Sequence, residues 1–120
     1  MESKRQIRDR NTQELAARVG LETTWALQKI ARSLHRLDEY SCNYGLSVKQ
    51  EWNQERLANQ AVRRVRPYGF RVYVQGDPRG WPLYLYTDGM LEEYNQRRLI
   101  EHRTGIDACY SSVGIAVCPF

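Results

Sequence analysis

Six basic and amide side chains recur along residues 48–66 at a spacing that suits phosphate binding. At about 100° per residue they fall on one helix face: Lys49, Asn53, Arg56, Gln60, Arg63 and Arg64. Glu51 and Glu55 point away from that face. Cations and amides without acids can follow a phosphate backbone, and arginine can also hydrogen-bond base edges. The alternative interpretation is an ordinary solvated helix face, which a charge run usually is.

A second candidate surface comes from alternating residues in F-R-V-Y-V-Q and P-L-Y-L-Y-T. The alternation predicts two strands with Arg71, Tyr73, Tyr84 and Tyr86 on the face opposite the valines and leucines. If open, that face would stack unpaired bases. We favour the alternative, in which the last helix or the N-terminal segment covers the tyrosines and makes a second small core.

The tip between these two strands offers a candidate protein contact. Asp77, Pro78 and Gly80 fit a type I turn, which would project Arg79 with Trp81 beside it. An exposed arginine can engage phosphate or an acidic partner, and an exposed tryptophan can anchor a protein interface. Good turn residues need no function, so a purely structural turn is the alternative.

Catalytic patterns are weak in this sequence. No spacing pairs the carboxylates Asp77, Asp88 and Asp107. There is no nucleophile elbow, phosphate loop or dinucleotide fingerprint. His35 borders a leucine stripe, where a histidine is more often structural. We therefore expect a protein that is not an enzyme and has no cofactor.

A zinc site is chemically permissible but not demanded. Its ligands would be a histidine with Cys42, Cys109 and Cys118. The cysteines lack the C-x-x-C spacing of zinc modules, and free cysteines are more often small buried hydrophobes. We expect no metal.

The basic face requires a helix, and capping patterns predict where the helices lie. N-T-Q-E at residues 11–14 has capping-box spacing and begins a short helix that ends at Gly20. Thr23 or Thr24 would cap a second helix that ends at Gly45. Its apolar stripe recurs every three or four residues: Leu27, Ile30, Leu34 and Leu37. S-V-K-Q at residues 47–50 begins the third helix, so the two long helices form an antiparallel hairpin.

After Gly69 the period changes to that of strands, with a third strand near residues 113–118. Residues 90–103 have the charge order of a helix but no clean apolar face. We predict an α+β fold, an N-terminal helical hairpin packed on a small, mainly antiparallel three-stranded sheet. The predicted core, expected to be more buried than the tyrosines, is Leu27, Ile30, Leu34, Leu37, Leu57, Ala61, Val65, Val72, Val74, Leu83 and Leu85.

Length and composition indicate one domain. The chain has 120 residues, 42% of them hydrophobic, and a net charge of +4. We divide it into a flexible basic N-terminus at residues 1–10 and a single α+β domain at 11–120. No apolar run approaches the roughly 20 residues of a membrane span, and we find no secretory signal. An odd number of cysteines suits a reducing compartment, so we expect a cytoplasmic protein without a membrane partner.

Two segments carry a resemblance to other proteins. They are L-H-R-L-D-E-Y-S-C-N at residues 34–43 and Y-V-Q-G-D-P-R-G-W-P-L-Y-L-Y at residues 73–86, followed by G-I-A-V-C at 114–118. Their order and separation resemble small uncharacterised proteins encoded by tailed bacteriophages and prophages. The resemblance implies a bacterial host cell and carries over no catalytic or binding residues.

A phage origin favours two kinds of work for a short chain without an active-site pattern. The first, which we place ahead, is a non-enzymatic accessory protein that binds nucleic acid through the basic helix. The alternative is a modulator or inhibitor that binds a host protein, for example one of defence or replication. Arg56 and Arg63 would matter most in the first case, and Arg79 and Trp81 in the second.

Overall fold

Three N-terminal helices form a layer. The computed structural model describes residues 1–74, 81–104 and 114–120. Helix α1 spans Lys4–Val19, α2 spans Leu21–Tyr44 and α3 spans Val48–Val65. Because α2 packs against both α1 and α3, it occupies the middle of the layer.

Helix α1 begins well before the predicted position. The Ser3 hydroxyl accepts the Gln6 N–H at 3.2 Å, and the Gln6 side chain accepts the Ser3 N–H at 2.8 Å, which makes a capping box. The predicted start at Asn11 is wrong, since Asn11 lies buried within the helix. Residues 4–10, predicted to be a flexible basic segment, are helical.

The predicted helical hairpin is confirmed. Helix α2 ends at Gly45, whose φ of +71° suits a residue without a β-carbon. Ser47 and Gln50 form the predicted capping box at the start of α3. The chain turns back after α2, and α3 packs against α2 because the connection between them is short.

The predicted start of α2 is wrong. Gly20 is the N-cap, and neither Thr23 nor Thr24 takes that role. Thr24 is fully buried, and its hydroxyl donates to the Gly20 carbonyl oxygen at 2.7 Å. A threonine in the first turn of a helix can hydrogen-bond to a backbone carbonyl four residues earlier, so its presence does not identify it as the N-cap.

The sheet has three antiparallel strands, and the predicted α+β fold class is confirmed. Strands β1 at Arg71–Val74, β2 at Leu83–Tyr86 and β3 at Ile115–Ala116 lie in the order β1-β2-β3. Helix α4 spans Asp88–Thr104, as its charge order favoured. The predicted turn at 77–80 lies outside the described residues.

Apolar side chains pack against both faces of the sheet. The larger cluster joins the helical layer to one face: Leu15, Val19, Leu27, Ile30, Ala31, Leu34, Leu57, Ala61, Val65, Phe70, Leu83, Leu85, Ile115 and Val117. Leu37, Val72 and Val74, predicted to be core, are only half-buried. Tyr84, at 3% exposed, is more buried than Val72, contrary to expectation, because the second face is covered as well.

Asn11 connects α1 to the last strand. It is 7% exposed, and its amide group donates to the Ala116 carbonyl oxygen at 2.6 Å. Its side-chain oxygen accepts the Cys118 N–H at 2.9 Å. The side chain therefore pairs with backbone at the edge of the sheet much as a neighbouring strand would.

Candidate nucleic-acid interface

The six residues predicted on α3 lie together along one side of that helix. Lys49, Arg56, Arg63 and Arg64 are exposed, while Asn53 and Gln60 are half-buried. Within this set, Arg56 donates to the Asn53 side-chain oxygen at 2.8 Å. The face begins directly beside the buried row of α3, so it borders the seam with α2.

That seam is a groove of about 460 Å³. Its lining comes from both helices: Ala26, Lys29, Ile30, Gln60, Arg63 and Arg64. Lys29, Arg63 and Arg64 form no ion pair with any carboxylate in the part of the chain that the structure describes. Three cations therefore line the groove without an ion-pair partner among the described residues, which gives it a local excess of positive charge.

A second groove, of about 490 Å³, follows the seam between α1 and α2. It is lined by Arg8, Asp9, Thr12, Trp25, Gln28, Lys29 and Arg32. The Asp9 carboxylate lies 3.6 Å from Arg8 Nε, so one of the three cations that line this groove is neutralised by an ion pair. Because Lys29 lines both grooves, positive charge continues across the outer side of α2.

The outer side of α2 carries a stripe that our sequence reasoning missed. Its members follow one another at intervals of three or four residues: Trp25, Lys29, Arg32, Arg36 and Tyr40. All five are exposed and lie opposite the leucines of the same helix. These residues follow the same 3.6-residue period as the leucines, so the stripe could have been predicted from the sequence.

The tyrosine face of the sheet is covered, as we favoured. Tyr84 is buried and Tyr86 half-buried in a second cluster. The remaining buried members of that cluster are Trp81, Tyr94, Ala116 and Cys118, with Ile7 and Phe120 packed against them. Both the last helix and the N-terminal helix contribute, so these strands offer no open stacking platform.

The two other residues of the predicted platform lie at its margin. Tyr73 is 47% exposed at the edge strand. Arg71 pairs with Asp88, with 3.1 Å between Arg71 Nε and the carboxylate, so its charge is already compensated. The predicted combination of Arg71, Tyr73, Tyr84 and Tyr86 as one binding surface is wrong, because only its edge reaches solvent.

The predicted exposure of Trp81 is also wrong. Its side chain is 9% exposed and meets the Phe120 ring edge-on, with 6.0 Å between ring centroids. A tryptophan packed in this way belongs to the second core and cannot anchor a partner. Arg79, its predicted companion, lies outside the described residues.

The candidate metal ligands are not brought together in the described ranges. Cys42 is exposed on α2, whereas Cys118 is buried behind the sheet. Cys109 falls outside the described residues. No cluster of three or more metal-ligating side chains occurs among the residues that the structure places. His35 lies 3.0 Å from the Glu39 carboxylate, which is an ordinary contact within one helix.

Comparison of the chain with known protein families, curated proteins and solved structures found no match. The resemblance to phage-encoded proteins therefore stays a prediction. Within the ranges described above, no helix combines the length and apolar character that crossing a membrane requires.

Proposed function

We propose that this protein is a non-enzymatic, cytoplasmic accessory protein of the phage type, and that it binds nucleic acid. The contact surface is the outer side of α2 together with the neighbouring side of α3. One observation carries the proposal: Lys29, Arg63 and Arg64 converge on the α2–α3 groove without an ion-pair partner in the described chain.

The chemistry of these cations suits a phosphodiester chain. Arginine presents a planar fork of donors that matches phosphate oxygens, and lysine adds a compact point charge. Each phosphate neutralised by a protein cation releases condensed counterions, which favours binding at low salt. Gln60, at the groove, adds an amide that can hydrogen-bond sugar or base.

The outer stripe of α2, with aromatic residues at its two ends and cations between them, is long enough to lie along several nucleotides. From Trp25 to Tyr40 the outer stripe of α2 spans about 22 Å at the helical rise of 1.5 Å per residue. At the 3.4 Å spacing of one strand in a duplex, this length corresponds to roughly six nucleotides. The α3 cations run alongside, so a bound strand would meet positive charge from both helices.

The proposal is tested by comparing two double variants that each remove two positive charges. R63Q/R64Q removes two groove cations. R10Q/R97Q is the matched control, because Arg10 pairs with Glu2 and Arg97 with Glu93, and neither lines the α2–α3 groove. Binding of labelled oligonucleotides is measured by fluorescence anisotropy over a series of salt concentrations.

We expect R63Q/R64Q to weaken binding and to flatten its salt dependence. Loss of two phosphate contacts lowers the slope of log K against log salt by about 1.8 for a duplex and about 1.4 for a single strand. The control variant should keep the native slope. Equal effects of both variants would show that net charge, and not the groove, governs binding, and would refute the proposal.

A second candidate function, binding a host protein, is favoured by a different surface. Tyr44, Val48 and Trp52 surround the α2–α3 connection and are 76%, 62% and 68% exposed. Exposed tryptophan and tyrosine are the residues that anchor protein interfaces. If a bacterial protein is retained from nuclease-treated lysate and lost with W52A, this function replaces the first.

A further inference from the structure

We infer that the α1–α2 groove accepts an unpaired base, so that the ligand is single-stranded nucleic acid. The inference rests on the proposed function and specifies its substrate. Its centre is Trp25, which is 55% exposed in the groove lining. Trp25 lies opposite the buried leucines of α2, so packing of the core does not account for it.

The polar floor beside Trp25 is fixed by hydrogen bonds. Gln28 donates from its amide to the Thr12 hydroxyl at 2.7 Å, and that hydroxyl donates to the Arg8 carbonyl oxygen at 2.8 Å. These bonds hold α1 and α2 in register at the groove, so the site exists before a ligand arrives. A preformed site loses less entropy on binding than one that must be ordered.

Charge and shape complete the site. Lys29 and Arg32 line the groove from the same helix as Trp25, one and two turns further along. A base stacked on the indole would bring its phosphates close to these cations. The groove has a volume of about 490 Å³ and is open to solvent, so one face of the indole is accessible to a base.

The far end of the same stripe offers a second aromatic platform. Tyr40 and Tyr44 lie with ring centroids 4.9 Å apart and are both exposed. Between them and Trp25 lie Arg32 and Arg36 on the outer side of α2. Exposed aromatic rings combined with cations on one surface are used by proteins that bind unpaired strands.

A duplex cannot use these rings in the same way. Its base faces are stacked inside the helix, and an exposed indole on a helix surface reaches only the phosphates and groove edges. In a single strand the bases turn outward and stack on aromatic side chains. The exposed rings therefore favour the unpaired form, whereas the cations alone would bind both.

The test compares W25A with Y68A, a control that removes an exposed aromatic ring lining neither groove. The probes are a thymidine oligonucleotide, a uridine oligonucleotide and a hairpin duplex with the same number of phosphates. Affinities are measured by anisotropy at one low salt concentration, and folding of each variant is checked by circular dichroism. W25F serves in place of W25A should the alanine variant unfold, because it keeps an apolar ring.

We expect W25A to weaken binding of at least one unpaired probe by about 5- to 150-fold, the effect of losing one stacked base. W25F should lose less, Y68A should bind normally, and duplex binding should be weaker and unchanged by W25A. Normal binding by W25A, with R63Q/R64Q still impaired, would overturn this inference and leave the proposed function standing. Tighter binding of the duplex would also overturn it. Failure of every probe to bind would refute both.

Discussion

Replacing Asn11 with alanine tests whether one side chain joins the two ends of the fold. Asn11 donates to the Ala116 carbonyl oxygen at 2.6 Å and accepts the Cys118 N–H at 2.9 Å. N11A removes both bonds and leaves one backbone group of the last strand, and one two residues after it, without their partner. Because the site is 7% exposed, bulk water replaces these bonds poorly.

The expected loss follows from the two abandoned groups. A buried donor or acceptor left unsatisfied costs about 1 to 3 kcal/mol. Two such groups would together cost about 2 to 6 kcal/mol. A polar cavity of about 90 Å³ adjoins Asn11 and can admit water that partly satisfies them. We therefore expect the free energy of unfolding to fall by about 2 to 4 kcal/mol. At a urea m-value of about 2 kcal/mol/M, the midpoint falls by roughly 1 to 2 M.

The variant N11D adds a test of hydrogen-bond direction. An ionised carboxylate cannot donate to the Ala116 carbonyl oxygen, and burial beside that oxygen raises the pKa of the N11D carboxyl above its usual value. A protonated carboxyl can both donate and accept, as asparagine does. The loss of stability in N11D should therefore shrink as the pH falls through the raised pKa toward about 4.

Urea denaturation followed by circular dichroism measures both effects, at pH 8 and pH 5. Q13A is the control, because Gln13 is exposed on the same helix and the substitution to alanine favours helix formation. A free energy of unfolding for N11A within about 0.5 kcal/mol of wild type would refute the reasoning. So would an N11D variant whose loss did not depend on pH.

Two further predictions concern the backbone. G114A should destabilise the protein by at least about 2 kcal/mol in thermal denaturation, since its β-carbon would clash with the Leu85 carbonyl oxygen. G89A should be neutral or stabilising, because its β-carbon would lie 3.8 Å from its nearest neighbour, the Thr87 side-chain oxygen. Equal losses of stability in G114A and G89A would contradict the clash. S47A should cost about 1 kcal/mol through loss of the α3 capping box, while Q50E, which keeps an acceptor there, should not.

Local signals made the helical hairpin predictable. The leucine stripe of α2, the glycine at its end and the Ser47–Gln50 box each act within a few residues, so the sequence alone contains them. The strand pairing also followed from alternation, with Tyr73 opposite Tyr84 as the hairpin requires. These elements depend little on the rest of the chain.

The errors arose where distant residues decide the outcome. Asn11 looked like a helix cap, but its partners lie 105 and 107 residues away. Trp81 looked exposed beside a turn, but its burial depends on α1, α4 and the C-terminal residues meeting behind the sheet. No pattern within a short window encodes such contacts.

The candidate site divides in the same way. The α3 face was predicted from periodicity, and Lys29 was not, because it joins that face only when α2 packs beside α3. The outer stripe of α2 needed no tertiary information and was accessible to the same helical period. Its cations Lys29, Arg32 and Arg36 were overlooked because the periodicity of this helix was used only to locate the buried leucines.

The hydrogen bond between Asn11 and the last strand can form only late in synthesis, because its two partners are 105 residues apart. A ribosome adds about 5 to 20 residues per second, so roughly 5 to 20 s separate the synthesis of Asn11 from that of Ala116. Helices α2 and α3 are adjacent in sequence and pack against each other, so they can pair in that interval. The nascent chain would then carry the cationic seam between α2 and α3 before the sheet that supports it has closed.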